Sequence, residues 1–175
     1  MRLSVVTKWG RTLAAACGAA AFLGVTAAEA ADALQPSGAL QVQAGTAAVV
    51  TLTAAQIAAL PQHRIATATP WTDGVKQFQG PLVAEVLKAA GIELSTKMIV
   101  QAQALNGYVI DIPAADFLRW PVIVAFAMDG KALSRRDKGP LWIVYPRDSS
   151  QELQDAKYDH RWAWQLKQIT VKTVQ

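Results

Sequence analysis

The sequence holds one cysteine, Cys17, and it lies in a stretch expected to be removed from the finished protein. A domain without cysteine has no disulfide and no thiolate to hold a metal, so packing alone must stabilise it. Histidine is nearly as scarce. His63 and His160 are the only two, and neither stands in a metal-ligand spacing, which argues against a zinc or copper site. A Ser134, His160 and Asp137 triad can be written down, but no nucleophile elbow supports a hydrolase. No basic stripe or repeat points to a nucleic-acid partner. No apolar run reaches the roughly 20 residues that a membrane span needs.

The first thirty residues follow the pattern of a secretory signal peptide. Arg2, Lys8 and Arg11 give a positive start, an Ala-rich apolar run extends from Leu13 to Val25, and Ala28-Glu29-Ala30 forms a small-residue cleavage site. Cleavage after Ala30 predicts a periplasmic or secreted protein with no stable membrane anchor. Ala14-Ala15-Ala16 is a poor lipobox for Cys17, and no arginine pair precedes the apolar run, so the expected route is Sec-type. Loss of residues 1–30 leaves 145 residues, enough for one domain with a core. Without Arg2, Lys8, Arg11 and Glu29 the 17 basic and 13 acidic residues fall to 14 and 12, a net charge of +2. The high isoelectric point of the whole chain therefore says little about partners.

Residues 31–45 are small and polar with Gly and Pro, and are expected as a flexible leader before a domain spanning 46–175. Thr46 to Leu52 reads as a strand. Thr53 is a good N-cap for a short helix that Pro61 stops. His63 to Thr69 alternates as a strand does. Pro81 suits the first turn of a helix with Leu82, Val83, Val86, Leu87 and Ala90 on one face, and Gly91 stands where a terminating glycine belongs. Lys97 to Ala104 and Tyr108 to Ile112 flank an Asn106-Gly107 turn, a strong hairpin signal. Pro113 to Leu118 can form a helical turn. Pro121 to Met128 reads as one central buried strand ending at an Asp129-Gly130 turn, with further strands at Leu141 to Tyr145 and Gln168 to Val174. The expected fold is a single α+β domain, strand-dominated, with a mixed sheet and a few short helices.

Five pieces of this pattern, in order, resemble the molybdopterin-binding domain of sulfite-oxidase-type oxidoreductases. A Gly-Pro helix is matched by Gly80, Pro81, Leu82, Leu87 and Gly91, and a strand by Tyr108, Ile112 and Pro113. A hairpin is matched by Ala125, Met128, Asp129, Gly130 and Leu133, and the strand after it by Gly139, Pro140, Leu141, Ile143, Val144 and Pro146. Leu166, Ile169 and Val171 match the closing strand. The resemblance implies the fold, with molybdopterin as a possible cofactor by resemblance only. It also implies a metal-holding cysteine upstream of the Gly-Pro helix, where this chain reads Ile65 to Trp71 without one. A soft thiolate is needed there, and threonine is a hard, weak ligand. The family's pterin-contacting arginine falls on or beside Trp142, and its late lysine near Trp164.

Two groups of residues are candidates for a site; no catalytic or metal-ligating residue is assigned. Arg135-Arg136-Asp137-Lys138-Gly139 resembles the family loop that approaches the cofactor phosphate, with Arg136 and Lys138 as anion contacts; the plainer reading is a solvated hairpin flank. Tyr158, His160, Arg161, Trp162 and Trp164 form a dense aromatic-basic group. On a strand, His160, Trp162 and Trp164 would share a face on which a planar ligand stacks, with Asn106 and Tyr108 adding polar groups; the same residues would equally serve as core. Asp111 and Asp116 read as strand-surface and capping residues. The leading functional expectation is an exported, non-redox module that binds an anionic or planar small molecule or a periplasmic protein partner. An active molybdopterin-dependent oxidoreductase and a purely structural module are the alternatives.

Overall fold

Alternation decides where the domain begins. Leu40 and Val42 are fully buried while Gln41 and Gln43 are partly exposed, and Leu40–Ala44 forms strand β1. The computed structural model describes residues 34–174. The expected signal peptide lies outside the described residues. The expected flexible leader is corrected in its second half: Leu40 and Val42 bury enough apolar surface to make β1 an internal strand of the main sheet.

That sheet has five strands in the order β2-β1-β11-β5-β6. They comprise β2 (Val50–Leu52), β5 (Met98–Ala104), β6 (Val109–Pro113) and β11 (Leu166–Thr173) beside β1. β1 runs parallel to β11 and all other neighbours are antiparallel, so the sheet is mixed. Joining the first and last strands in parallel ties the two ends of the domain together. A second, antiparallel sheet has the order β3-β4-β8-β9, from β3 (His63–Thr69), β4 (Thr72–Gly80), β8 (Ala127–Met128) and β9 (Lys131–Ala132). A two-stranded pair joins β7 (Ile123–Ala125) to β10 (Trp142–Val144). The domain is thus α+β and strand-dominated, as expected.

Helix α1 (Ala54–Ala59) opens on a full capping box: the Gln56 N–H donates to Thr53 Oγ1 at 3.2 Å, and the Thr53 N–H to Gln56 Oε1 at 2.8 Å. Helix α2 (Val83–Ala89) buries Val83, Val86 and Leu87. Gly91, at φ +81°, ends it, with the Ile92 N–H reaching Leu87 O at 2.9 Å. Pro81 stands just ahead of the helix, and its carbonyl accepts from the Val124 N–H at 2.9 Å. Helix α3 is the expected helical turn, Ala114–Arg119.

The single central strand expected over Pro121 to Met128 divides into β7 and β8. One edge of this run follows residues 77–83 throughout, through N–H donations such as Phe126 to Gln79 O at 3.0 Å. Its other edge changes partner from β10 to β9, which breaks the ladder at Phe126. Gly80 permits the close approach, since a Cβ there would stand 2.0 Å from Val124 O. After β10 the chain makes three short 3-10 helices, Arg147–Ser149, Gln151–Gln154 and Ala156–Arg161, instead of further strand.

A candidate aromatic cleft

The third 3-10 helix corrects the expected strand geometry of residues 158–164. Its backbone turns through Arg161, so His160, Trp162 and Trp164 are not successive side chains on one strand face. They nevertheless meet. The segment that follows is held at both edges: the Ile143 N–H donates to Ala163 O at 3.0 Å, and the Leu105 N–H to Gln165 O at 2.8 Å. This lays residues 162–165 between β10 and the tip of the β5–β6 hairpin. The tip is shaped by Gly107 at φ +86° and by Asn106, whose Oδ1 accepts the Tyr108 N–H at 3.0 Å. Asn106 thus has the expected turn role, although glycine takes the left-handed position.

Between these elements lies a cleft of ≈ 280 Å³, lined by Trp71, Ala104, Asn106, Tyr108, Asp159, His160, Trp162, Ala163 and Trp164. Five of the residues singled out in the sequence are therefore brought together: Asn106, Tyr108, His160, Trp162 and Trp164. Trp71 and Asp159 were not foreseen. Trp71 packs between two walls, its ring centroid 5.8 Å from that of Trp162 and 5.1 Å from that of Trp164. Trp142 closes the cluster from beneath, fully buried, 6.0 Å from Trp162 and 5.2 Å from Phe78. Edge-on and tilted contacts of this kind are the favoured aromatic geometries. Pocket and core are one structure here: Trp162 is buried, while Trp71 and Trp164 are partly open.

Four other candidates do not line the cleft. Arg161 donates through Nη1 to Asp116 Oδ2 at 2.5 Å and lies over the Tyr158 ring at 4.7 Å. Asp116, expected as a cap, is buried and also accepts the Tyr145 hydroxyl at 2.9 Å. Tyr158 is buried against Trp120 and donates to Glu152 Oε1 at 2.6 Å. Tyr158 and Arg119 together hold the Glu152 carboxyl below its ordinary range. Lys138 pairs with Asp137 at 2.8 Å and lies 5.7 Å from the centre of the Trp142 ring. Arg136 is exposed, and its loop is fastened by Gln165, whose amide donates to Arg135 O at 2.9 Å and Asp137 O at 3.0 Å.

Burial, then the adjacent Asp116 carboxylate, pushes the Tyr145 phenol well above its ordinary value of 10. A raised folded-state value means that the neutral phenol's contribution is complete below pH ~10 and is lost as the pH climbs from there towards the folded value. The stability advantage of the native protein over Tyr145→Phe should therefore shrink between pH 8 and pH 11. Chemical denaturation of both proteins at the two pH values measures it. An advantage that stays constant would contradict the buried phenol–carboxylate pair.

In the stretch to which the resemblance assigns a metal-holding thiolate, the two threonines are engaged by the protein itself. Thr67 Oγ1 accepts the Asp148 N–H at 3.1 Å and donates to Ala68 O at 3.2 Å. Thr69 Oγ1 is 2.8 Å from Thr72 Oγ1 and accepts the Trp71 N–H at 3.1 Å. Both threonines are buried and their hydroxyls are occupied by protein partners. Among the described residues no three His, Cys, Asp or Glu side chains gather as a metal site. The donor set does not fit a thiolate-held molybdenum, and the cleft wall carries no Lys or Arg for a cofactor phosphate.

The mixed sheet, the Gly-Pro helix and the buried hairpin strands define an α+β domain of the molybdopterin-oxidoreductase type. The chain belongs to the oxidoreductase molybdopterin binding domain family, whose profile matches residues 37–152. That match includes β1. A solved structure, the sulfane dehydrogenase SoxCD from Paracoccus pantotrophus, is similar with a TM-score of 0.58 at 14% identity, over 78% of this chain and 38% of that one. This chain thus spans well under half of that protein's chain, and the likeness is one of fold. No curated protein matches the sequence.

Proposed function

We propose that this protein is an exported ligand-binding member of the family that has given up molybdenum redox chemistry. The observation that carries the reading is an open aromatic cleft in a domain whose expected thiolate stretch holds no soft ligand. The stretch from Ile65 to Trp71 has no cysteine and the hydroxyls of Thr67 and Thr69 are satisfied within the protein, while Trp71, Tyr108, Trp162 and Trp164 line an accessible space. Aromatic walls with a few polar groups are what small-molecule sites are generally made of. Family membership favours a second reading, a molybdopterin-dependent oxidoreductase, and the sulfane dehydrogenase name of the solved structure belongs with it. That reading requires a metal held without a cysteine ligand. The signal-peptide pattern of residues 1–30 supports export, to the periplasm or outside the cell.

Solvent extraction of the natively produced protein, followed by mass spectrometry, tests the binding role. The expected result is a small molecule that is not a pterin, recovered from the native protein and in smaller amount from Tyr108→Ala. Tyr108 is 48% exposed, so its truncation should leave the fold intact. An empty extract from the native protein would contradict the proposal, as would a pterin recovered in stoichiometric amount together with molybdenum.

A further inference from the structure

The cleft has a charge character opposite to the one the resemblance implies. Its wall carries the rings of Trp71, Tyr108, Trp162 and Trp164, one carboxylate from Asp159, and neither lysine nor arginine. Nearby basic groups are engaged elsewhere: Arg161 on Asp116, Lys138 on Asp137, and Arg147 on the Gln154 carbonyl at 3.2 Å. His160 is exposed at the rim.

The Asp159 carboxylate is the one acidic group among the residues that line this wall. A carboxylate beside the cleft attracts a positive charge and repels a negative one. Aromatic faces are electron-rich and attract cations. An anion would meet the same faces and the same carboxylate as repulsive.

Resting on the ligand-binding reading above, we propose that the cleft takes a compact organic cation of the methylated-ammonium class. A trimethylammonium head would lie against the aromatic wall near Asp159. The ≈ 280 Å³ of the cleft suits a small molecule of this size.

The test is titration of the full-length protein with choline at pH 8, followed by tryptophan fluorescence. Parallel titrations use 3,3-dimethyl-1-butanol, which has the same shape without the charge, and benzoate as a planar anion. Choline should saturate, with the neutral alcohol roughly ten-fold weaker and benzoate weaker still. Asp159→Asn should weaken choline by about ten-fold and leave the alcohol unchanged. Tyr108→Ala, at an exposed wall position, should weaken choline about five-fold with an unaltered melting temperature. Equal binding of choline and the alcohol would overturn the proposal. Saturation by benzoate but not by choline would overturn the cation class and leave the ligand-binding reading standing. No binding of any probe, together with an empty native extract, would remove both.

Discussion

Arg161→Ala is expected to lower the stability of the domain by about 3–5 kcal/mol, because it leaves a buried carboxylate without its partner. The side chains of Arg161 and Asp116 are 19% and 8% exposed, so solvent screens this pair little. The pair also ties α3 to the third 3-10 helix, with Tyr145 as the second donor to the same Oδ2 atom. The cost comes from stranding one charge rather than from the strength of the bond itself. Asp116→Asn placed on top of Arg161→Ala should therefore recover part of the loss. A double-mutant cycle by chemical denaturation reads the coupling directly. Strict additivity of the two changes would show that the pair does not act as a unit.

Trp142→Ala should cost a similar amount, about 3–5 kcal/mol, by a different route. The ring is fully buried and touches Trp71, Phe78, Trp162 and Trp164. Its removal opens a cavity beneath the cleft and takes away the contact shared by three of the wall residues. Trp142→Phe should cost far less, about 1 kcal/mol, since a smaller ring remains and the Nε1–H that lacks a partner is gone. Thermal unfolding compares the two. Equal losses would mean that the indole nitrogen has a partner after all, or that packing at Trp142 matters little.

The contrast between these residues explains how far the site could be read in advance. The aromatic density of residues 158–164 was visible in the sequence, and so was its ambiguity between pocket and core. Both readings hold, because Trp142 and Trp162 are core while Trp71 and Trp164 open onto the cleft. What alternation could not reveal was the 3-10 helix over Ala156–Arg161, whose side chains mimic strand spacing on paper. Trp71 escaped notice because it sits in the β3–β4 turn, far in sequence from its partners. Asp159 was hidden between two more conspicuous neighbours, and only its place in the cleft wall gives it interest. The arginines misled for an electrostatic reason: a guanidinium near aromatics suggests a ligand, but Arg161 answers a buried aspartate that no local pattern announces.

The fold was more legible where local chemistry is strong. The Thr53 capping box and the Asn-Gly and Asp-Gly turns lie where their residues require, with Asp129 at φ +49° and Gly130 at φ +74°. β4 was missed because Thr72–Gly80 has few apolar residues and is largely exposed before Phe78. β1 was missed although Leu40, Val42 and Ala44 do alternate, since the Gly and Pro before them suggested a leader. Its partner β11 lies more than a hundred residues away in sequence, and only that parallel pairing makes it a strand.

Family membership and site chemistry thus point in different directions. The scaffold belongs to molybdopterin-binding proteins, but the stretch from Ile65 to Trp71 holds no cysteine, and the open cleft has an acidic, aromatic wall. The most direct test is the molybdenum and pterin content of the protein isolated from its native compartment, by elemental analysis and by fluorescence of the oxidised pterin. The account predicts neither at stoichiometric level. One molybdenum and one pterin per chain would contradict it and make the protein an oxidoreductase with a metal held by something other than a thiolate.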